Sequence, residues 1–223
     1  MSWRSRDEAV ILVGMAERSD KRVVEATIAG WITTDLSGAE LGEKVIEAID
    51  RFAFQHIEDT AAAEDLFAFV QSQDERKHLA SVYRGTRWQQ KIGLMFARPT
   101  DHDAHNAQVR AQLVGYGAIA EAALRIMLQQ NGKDAPPNDF DGIITKARAA
   151  GILSKEAAES ADKLRLYRNR VHLFLDSGAK SLVAQRDALR AFTALVVVIQ
   201  ACRKRAGLGD WRFGSEPAVS AAG

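Results

Sequence analysis

The sequence predicts an all-α protein: an antiparallel helical bundle in the C-terminal half, preceded by an additional helical N-terminal region. Three observations carry this. The four prolines, at 99, 136, 137 and 217, leave long uninterrupted segments. Within those segments apolar residues recur three and four apart. No alternating apolar–polar run is long enough to read as a strand.

Taken in order, Ser5 followed by Glu8 is a capping-box pattern opening a helix to about residue 18. Its run "AVILVGMA" is also compatible with a short strand. A second helix is predicted from Asp20 to Trp31, with Val24, Ile28 and Trp31 on one face. Ser37 and Glu40 form another capping box, followed by Leu41, Val45, Ala48, Ile49 and Phe52 at helical spacing. Thr60 is the expected cap of the next helix, which ends before Asp74. "ERKHLASVYRGTRWQQKIGLMFA" predicts a further helix, with a kink at Gly85 and Trp88, Ile92 and Phe96 four apart.

"RPTDHD" (98–103) interrupts the chain, because Pro99 disfavours helix at Arg98 and Asp101 or Asp103 suits a cap. Residues 104–130 carry Val109, Leu113, Tyr116, Ala120, Leu124 and Met127 on one stripe. "NGKDAPPNDFDG" reads as a loop. A short helix over "DGIITKARAA" stops at Gly151. Ser154 is placed to cap a helix reaching about residue 175, which "DSGAK" breaks. The last helix, about 181–205, sets Val183, Leu189, Phe192, Val196 and Ile199 toward the core, and its basic "RKR" end suits the helix dipole. The domain reading is a helical region over 1–100, a bundle over 101–207 and a flexible tail over 208–223.

A chain of 223 residues is long enough to bury a sizeable core, and its net charge of +1 predicts no global field, so any nucleic-acid contact must be local. The single cysteine, Cys202, excludes an internal disulfide and sits in an apolar run, as a packed small hydrophobe does. No signal-peptide pattern is visible, and "ALVVVIQAC" (194–202) falls far short of the ~20 residues that span a bilayer. The expectation is a cytoplasmic protein without membrane contact. No Gly-rich phosphate loop, G-x-S-x-G or metal-ligating Cys/His set occurs, so no cofactor is expected. In "DHDAH" (101–105) His102 and His105 stand three apart beside two aspartates, but such residues at a helix start are ordinarily caps, and no metal is expected. "YRGTRWQQK" (83–91) interleaves aromatic and basic residues; it suits either RNA stacking or a core tryptophan with solvated arginines.

The most informative stretch is "LRLYRNRVHLF" (164–174), which sets three arginines, an asparagine and a histidine among apolar residues. With Arg165 at zero on a helix of ~100° per residue, Arg168 falls near ~300°, His172 near ~340° and Asn169 near ~40°. These four form one polar stripe. Leu164, Tyr167, Val171, Phe174 and Leu175 define the core side. Leu166 and Leu173 lie on the opposite flank, where a groove or subunit interface explains them and a solvated face does not. In a purely structural reading, Arg168 pairs with Glu121 on a neighbouring helix and His172 is an ordinary satisfied histidine.

"RLYRNRVHLF" resembles the signature of the HEPN superfamily, the "higher eukaryotes and prokaryotes nucleotide-binding" domains. There, an arginine followed by Asn, Asp or His precedes a histidine on a late helix of a small antiparallel bundle. "QLVGYGAIAEAALRIML" (112–128) resembles the family's long early helix, and the resemblance covers about residues 104–205. It implies a metal-independent endoribonuclease in which two protomers join their motif helices in one cleft, within a prokaryotic defence or toxin–antitoxin system. It implies catalytic roles for Arg168, Asn169 and His172 and substrate contacts by Arg165 and Arg170, with RNA as substrate and an antitoxin or defence protein as a further partner. An ordinary histidine titrates near neutral pH, which suits position 172 to proton transfer, and Arg168 offers a planar fork for phosphate. Three residues separate Arg168 from His172 and six separate Arg165 from it, so either arginine fits the motif. The compact "RNRVH" also suits a non-catalytic HEPN-fold module that binds a partner protein or nucleotide. Phe174 stands where the family often has a modifiable tyrosine.

Overall fold

The computed structural model describes residues 40, 43–44, 57–96, 102–132, 135–177 and 185–211. The helices predicted over 5–18 and 20–31 lie outside these residues. Of the helix predicted after Ser37, Glu40, Glu43 and Lys44 are described, all helical and exposed.

Six helices follow: α1 (Thr60–Leu66), α2 (Gln73–Phe96), α3 (His102–Asn131), α4 (Phe140–Ala149), α5 (Lys155–Ser177) and α6 (Gln185–Arg205). The described residues contain no strand, and this part of the chain is all-α, as the sequence predicts. α3 is the central element, packing against α2, α4, α5 and α6. The reason is in its sequence. The predicted stripe of Val109, Leu113, Tyr116, Ala120, Leu124 and Met127 is fully buried, and Ile119 and Ala123 widen it. By length and composition alone residues 104–131 are apolar enough to cross a bilayer, but over half of the relevant window is covered by the other helices.

The helix ends follow local chemistry. α1 is capped by Asp59, not by the expected Thr60: the Asp59 carboxylate accepts from the Ala62 N–H at 2.7 Å, from an extended backbone. An ionised carboxylate is the stronger acceptor for orphan N–H groups, which explains the shift by one residue. Asp139 caps α4 in the same way, accepting from the Gly142 N–H at 2.7 Å. Gly151 ends α4 at φ 68°, and the Ile152 N–H reaches back to the Ala147 carbonyl at 2.9 Å. Ser154 caps α5, its hydroxyl accepting from the Ala157 N–H at 3.2 Å. α2 runs through Gly85 without a break.

One buried cluster unites Leu66 of α1, Phe67 just beyond it and Tyr83 of α2 with Leu113, Leu164 and Leu195 of the later helices. α1 and α2 thus belong to the same core as the C-terminal bundle. Residues 208–211, assigned to the tail from sequence, dock on α6. Gln200 donates to the Trp211 carbonyl at 2.7 Å and accepts from its N–H at 3.2 Å, and Leu208 and Trp211 pack on the core.

The face of α6 differs from expectation. Ala188, Ala191, Leu195, Val198, Ile199 and Cys202 are buried, whereas Leu189, Phe192 and Val196 are only half-buried; Val183 lies outside the described residues. The most deeply buried face of α6 thus includes the small side chains Ala188 and Ala191, while Phe192, beside it, meets the Tyr116 ring of α3 at 5.6 Å between centroids. Burial pushes the Cys202 thiol up to about 12, as befits a packed hydrophobe and not a nucleophile.

Candidate functional site

The polar stripe of α5 is laid out as its helical spacing requires. Leu164 is fully buried and Tyr167 and Val171 pack on the core, which turns Arg165, Arg168 and Asn169 toward one side. Arg165 and Arg168 are half-buried and Asn169 is exposed. Leu166, on the far flank, is 46% exposed, the large apolar side chain left most open among the described residues. The backbones of Arg170 and His172 lie in α5; their side chains, and that of Leu173, lie outside the described residues.

Arg168 crosses to α3 and donates through Nη1 to Oε2 of Glu121. Oε1 of Glu121 accepts from Arg125 Nη2 at 3.3 Å, one turn further along α3. Arg125 also donates to the carbonyls of Pro137, at 2.9 Å, and Asn138, at 3.2 Å. The α3–α4 connection is thereby tied through Arg125 and Glu121 to Arg168. Gly117 makes this crossing possible: a Cβ there would stand 3.2 Å from Arg168 Cβ and 3.5 Å from the Leu164 carbonyl oxygen. Arg165 is also compensated, donating to Asp162 at 2.7 Å and lying 3.3 Å from Asp141 of α4.

Both described arginines of the stripe, Arg165 and Arg168, are therefore anchored by carboxylates, an arrangement that fixes guanidinium orientation and lowers the local field. The Arg168–Glu121 pairing is the contact expected from the structural reading of the sequence. The half-buried His105 is the one member of "DHDAH" with a described ionisable side chain, and no group of three or more His, Cys, Asp or Glu that could hold a metal forms among the described residues.

Sequence reasoning missed a second polar cluster, between α2, α3 and α6. Thr86, Arg87, Gln90, Lys91 and Gln112 are all buried. Arg87 donates to Gln90 Oε1 and lies 4.3 Å from the centre of the Phe192 ring; Tyr116 donates to the same Gln90 oxygen at 2.7 Å. Both amide atoms of Gln112 are buried without a hydrogen-bond partner. The available signal was position: Gln90 stands seven residues after the buried Tyr83, and Gln112 four before the buried Tyr116, at core-facing register. Of "YRGTRWQQK", Tyr83 and Arg87 point into the core, whereas Arg84 and Trp88 are half-buried on the other side of α2.

No family model, curated protein or solved structure matches this chain.

Proposed function

We propose that this protein is a HEPN-type, metal-independent endoribonuclease that acts as a homodimer, with α5 as its motif helix. The observation that supports this is the placement of Arg165, Arg168 and Asn169 on one accessible stripe of α5, beside the exposed Leu166. In this reading His172, one helical turn beyond Arg168, moves the proton of the RNA 2′-hydroxyl. Arg168, held in place by Glu121, donates to the oxygens of the phosphorane. Asn169 orients the histidine or a phosphate oxygen, and Arg165 and Arg170 contact the strand backbone. Leu166 covers its counterpart in the second protomer, which doubles each group at the twofold axis. An antitoxin or defence protein would be its natural regulator.

The test is cleavage of labelled RNA in EDTA. Wild-type protein is expected to cut. His172→Ala should abolish cutting with the fold intact, and Arg168→Ala should slow it by about 10²-fold or more. Arg165→Ala should weaken RNA binding and flatten its salt dependence. A wild type that cuts no RNA under any condition refutes the catalytic reading.

A second reading is favoured by the ion pairs themselves. Arg168 and Arg165 both face carboxylates, Glu121 and the pair Asp162 and Asp141. Such compensation suits a non-catalytic module in which the motif fixes helix packing and an interface. There, substitution of the motif arginines would lower the melting temperature or break the dimer, and the wild type would show no turnover.

A further inference from the structure

A cleft of about 700 Å³ lies over α1 and α2, lined by Thr60, Glu64, Lys77, Ser81, Arg84 and Trp88, with Ala80 and Gly85 beside them. It is formed outside the stretch that resembles the HEPN family and does not involve α5. Positions 77, 81, 84, 85 and 88 recur on one side of α2, so the lining is one continuous helical face. That face sets a half-buried indole next to an exposed glycine, with two cations at the same rim. Arg84 is positioned across the start of α1: its Nε donates to the Glu58 carbonyl at 3.0 Å and its Nη1 to the Thr60 hydroxyl at 2.8 Å.

Gly85 is the telling residue. It sits in the interior of a 24-residue helix, where glycine is unfavourable relative to alanine. A Cβ built on it meets nothing within 4 Å, so helix packing does not require the glycine. What a bare Cα provides is open floor beside Trp88, room enough for a planar ring to stack on the indole. Lys77 and Arg84 outweigh the single carboxylate of Glu64 and favour an anionic group on that ring. We infer that this cleft binds a nucleoside phosphate, its base laid on Trp88 over Gly85 and its phosphate at Lys77 and Arg84. Base stacking on an aromatic side chain joined to nearby cations is the chemistry by which single-stranded nucleotides are held. The nucleotide comes either as a free molecule or as one unit of an RNA strand.

The test is titration of the full-length protein with adenosine 5′-monophosphate, adenosine, inorganic phosphate and a six-nucleotide oligoadenylate. It is followed by calorimetry and tryptophan fluorescence. The monophosphate or the oligonucleotide is expected to bind at micromolar to millimolar concentration and to quench a signal that Trp88→Phe removes. Preference for the oligonucleotide identifies an RNA strand as the source; preference for the monophosphate identifies a free nucleotide. Lys77→Glu should weaken the phosphate-bearing ligands tenfold or more and leave adenosine nearly unchanged. Gly85→Leu should fill the floor and weaken all base-containing ligands tenfold or more, while the melting temperature holds or rises. Because the readout is binding, failure here is separate from absence of RNA cleavage. No binding by the wild type overturns the inference. So does binding that neither Gly85→Leu nor Lys77→Glu alters, and so does phosphate binding as tightly as the monophosphate.

Discussion

Glu121 is the residue whose removal distinguishes a screened surface contact from a structural ion pair. Its side chain is 16% exposed and that of Arg168 33%, so the pair stands between the fully exposed and fully buried cases. Exposed pairs contribute about 0–1 kcal/mol, and breaking a buried one costs about 3–5 kcal/mol. For this half-buried pair the expected coupling is about 1–2 kcal/mol after discounting for solvent screening. The two single substitutions should also differ. Arg168→Met keeps an apolar stem against Gly117 and leaves Glu121 with Arg125 at 3.3 Å. Glu121→Gln weakens the acceptor for both arginines at once and should cost more. The assay is urea unfolding of wild type, both single variants and the double variant, which isolates the coupling. Repeating it in 1 M salt should leave more than half of the coupling, because partly buried charges are poorly screened. A coupling below about 0.3 kcal/mol, or equal costs for the two single variants, refutes the claim that Glu121 anchors the stripe, since such values are those of a solvated pair.

Other outcomes follow from the same geometry. Gly117→Ala gains about 1 kcal/mol of helix propensity, yet should be net destabilising because its Cβ meets Arg168 at 3.2 Å; a higher melting temperature would show that α5 yields freely. Asp139→Ala should cost about 1 kcal/mol through the lost cap, read by chemical denaturation. Leu166→Glu should convert a dimer to monomer by light scattering if α5 is the subunit interface, and a wild type monomeric at micromolar concentration would refute that interface. Cys202, raised from an ordinary value near 9 to about 12, should react with thiol reagents only on unfolding. Because its folded pKa is the higher one, its contribution is complete below pH 9. Stability then declines toward pH 12, at up to about 1.4 kcal/mol per pH unit, as the unfolded thiol ionises first. A native thiol that reacts at neutral pH would contradict the packing of α6.

The elements legible in the sequence are those with redundant signals. α3 has six apolar residues in register, and all six are buried. The turn between α4 and α5 combines a left-handed glycine with a serine cap, and both act as read. Reading failed where one residue type had two roles. Ala188 and Ala191 carry little hydrophobic weight in a periodicity reading, yet both are fully buried on α6. Arg87 and Gln90 look like surface residues by type and are buried by position, because Tyr116 and Phe192 supply an acceptor-sharing hydroxyl and an aromatic face from other helices. Such tertiary partners leave no local trace. The stripe on α5 was legible because the helix rule places its residues together whatever surrounds them; the carboxylates Asp141 and Asp162 that neutralise Arg165 were not foreseen.

Those carboxylates bear on how the stripe would work on RNA. An unpaired arginine row would attract phosphate strongly and without orientation. Here the guanidinium of Arg168 is fixed by Glu121, which is itself held through Arg125 to two carbonyls of the α3–α4 connection. A donor fixed in this way pays little reorganisation when charge develops beside it, which is the requirement for stabilising a phosphorane and not for gripping a strand. Under the proposed ribonuclease function, ground-state RNA binding should therefore depend weakly on Glu121, and turnover strongly. Glu121→Gln is expected to lower kcat with little change in KM, whereas Arg165→Ala should mainly raise KM. The same kcat and KM for Glu121→Gln and wild type would separate the anchoring of Arg168 from catalysis and assign the Glu121–Arg168 pair to helix packing alone.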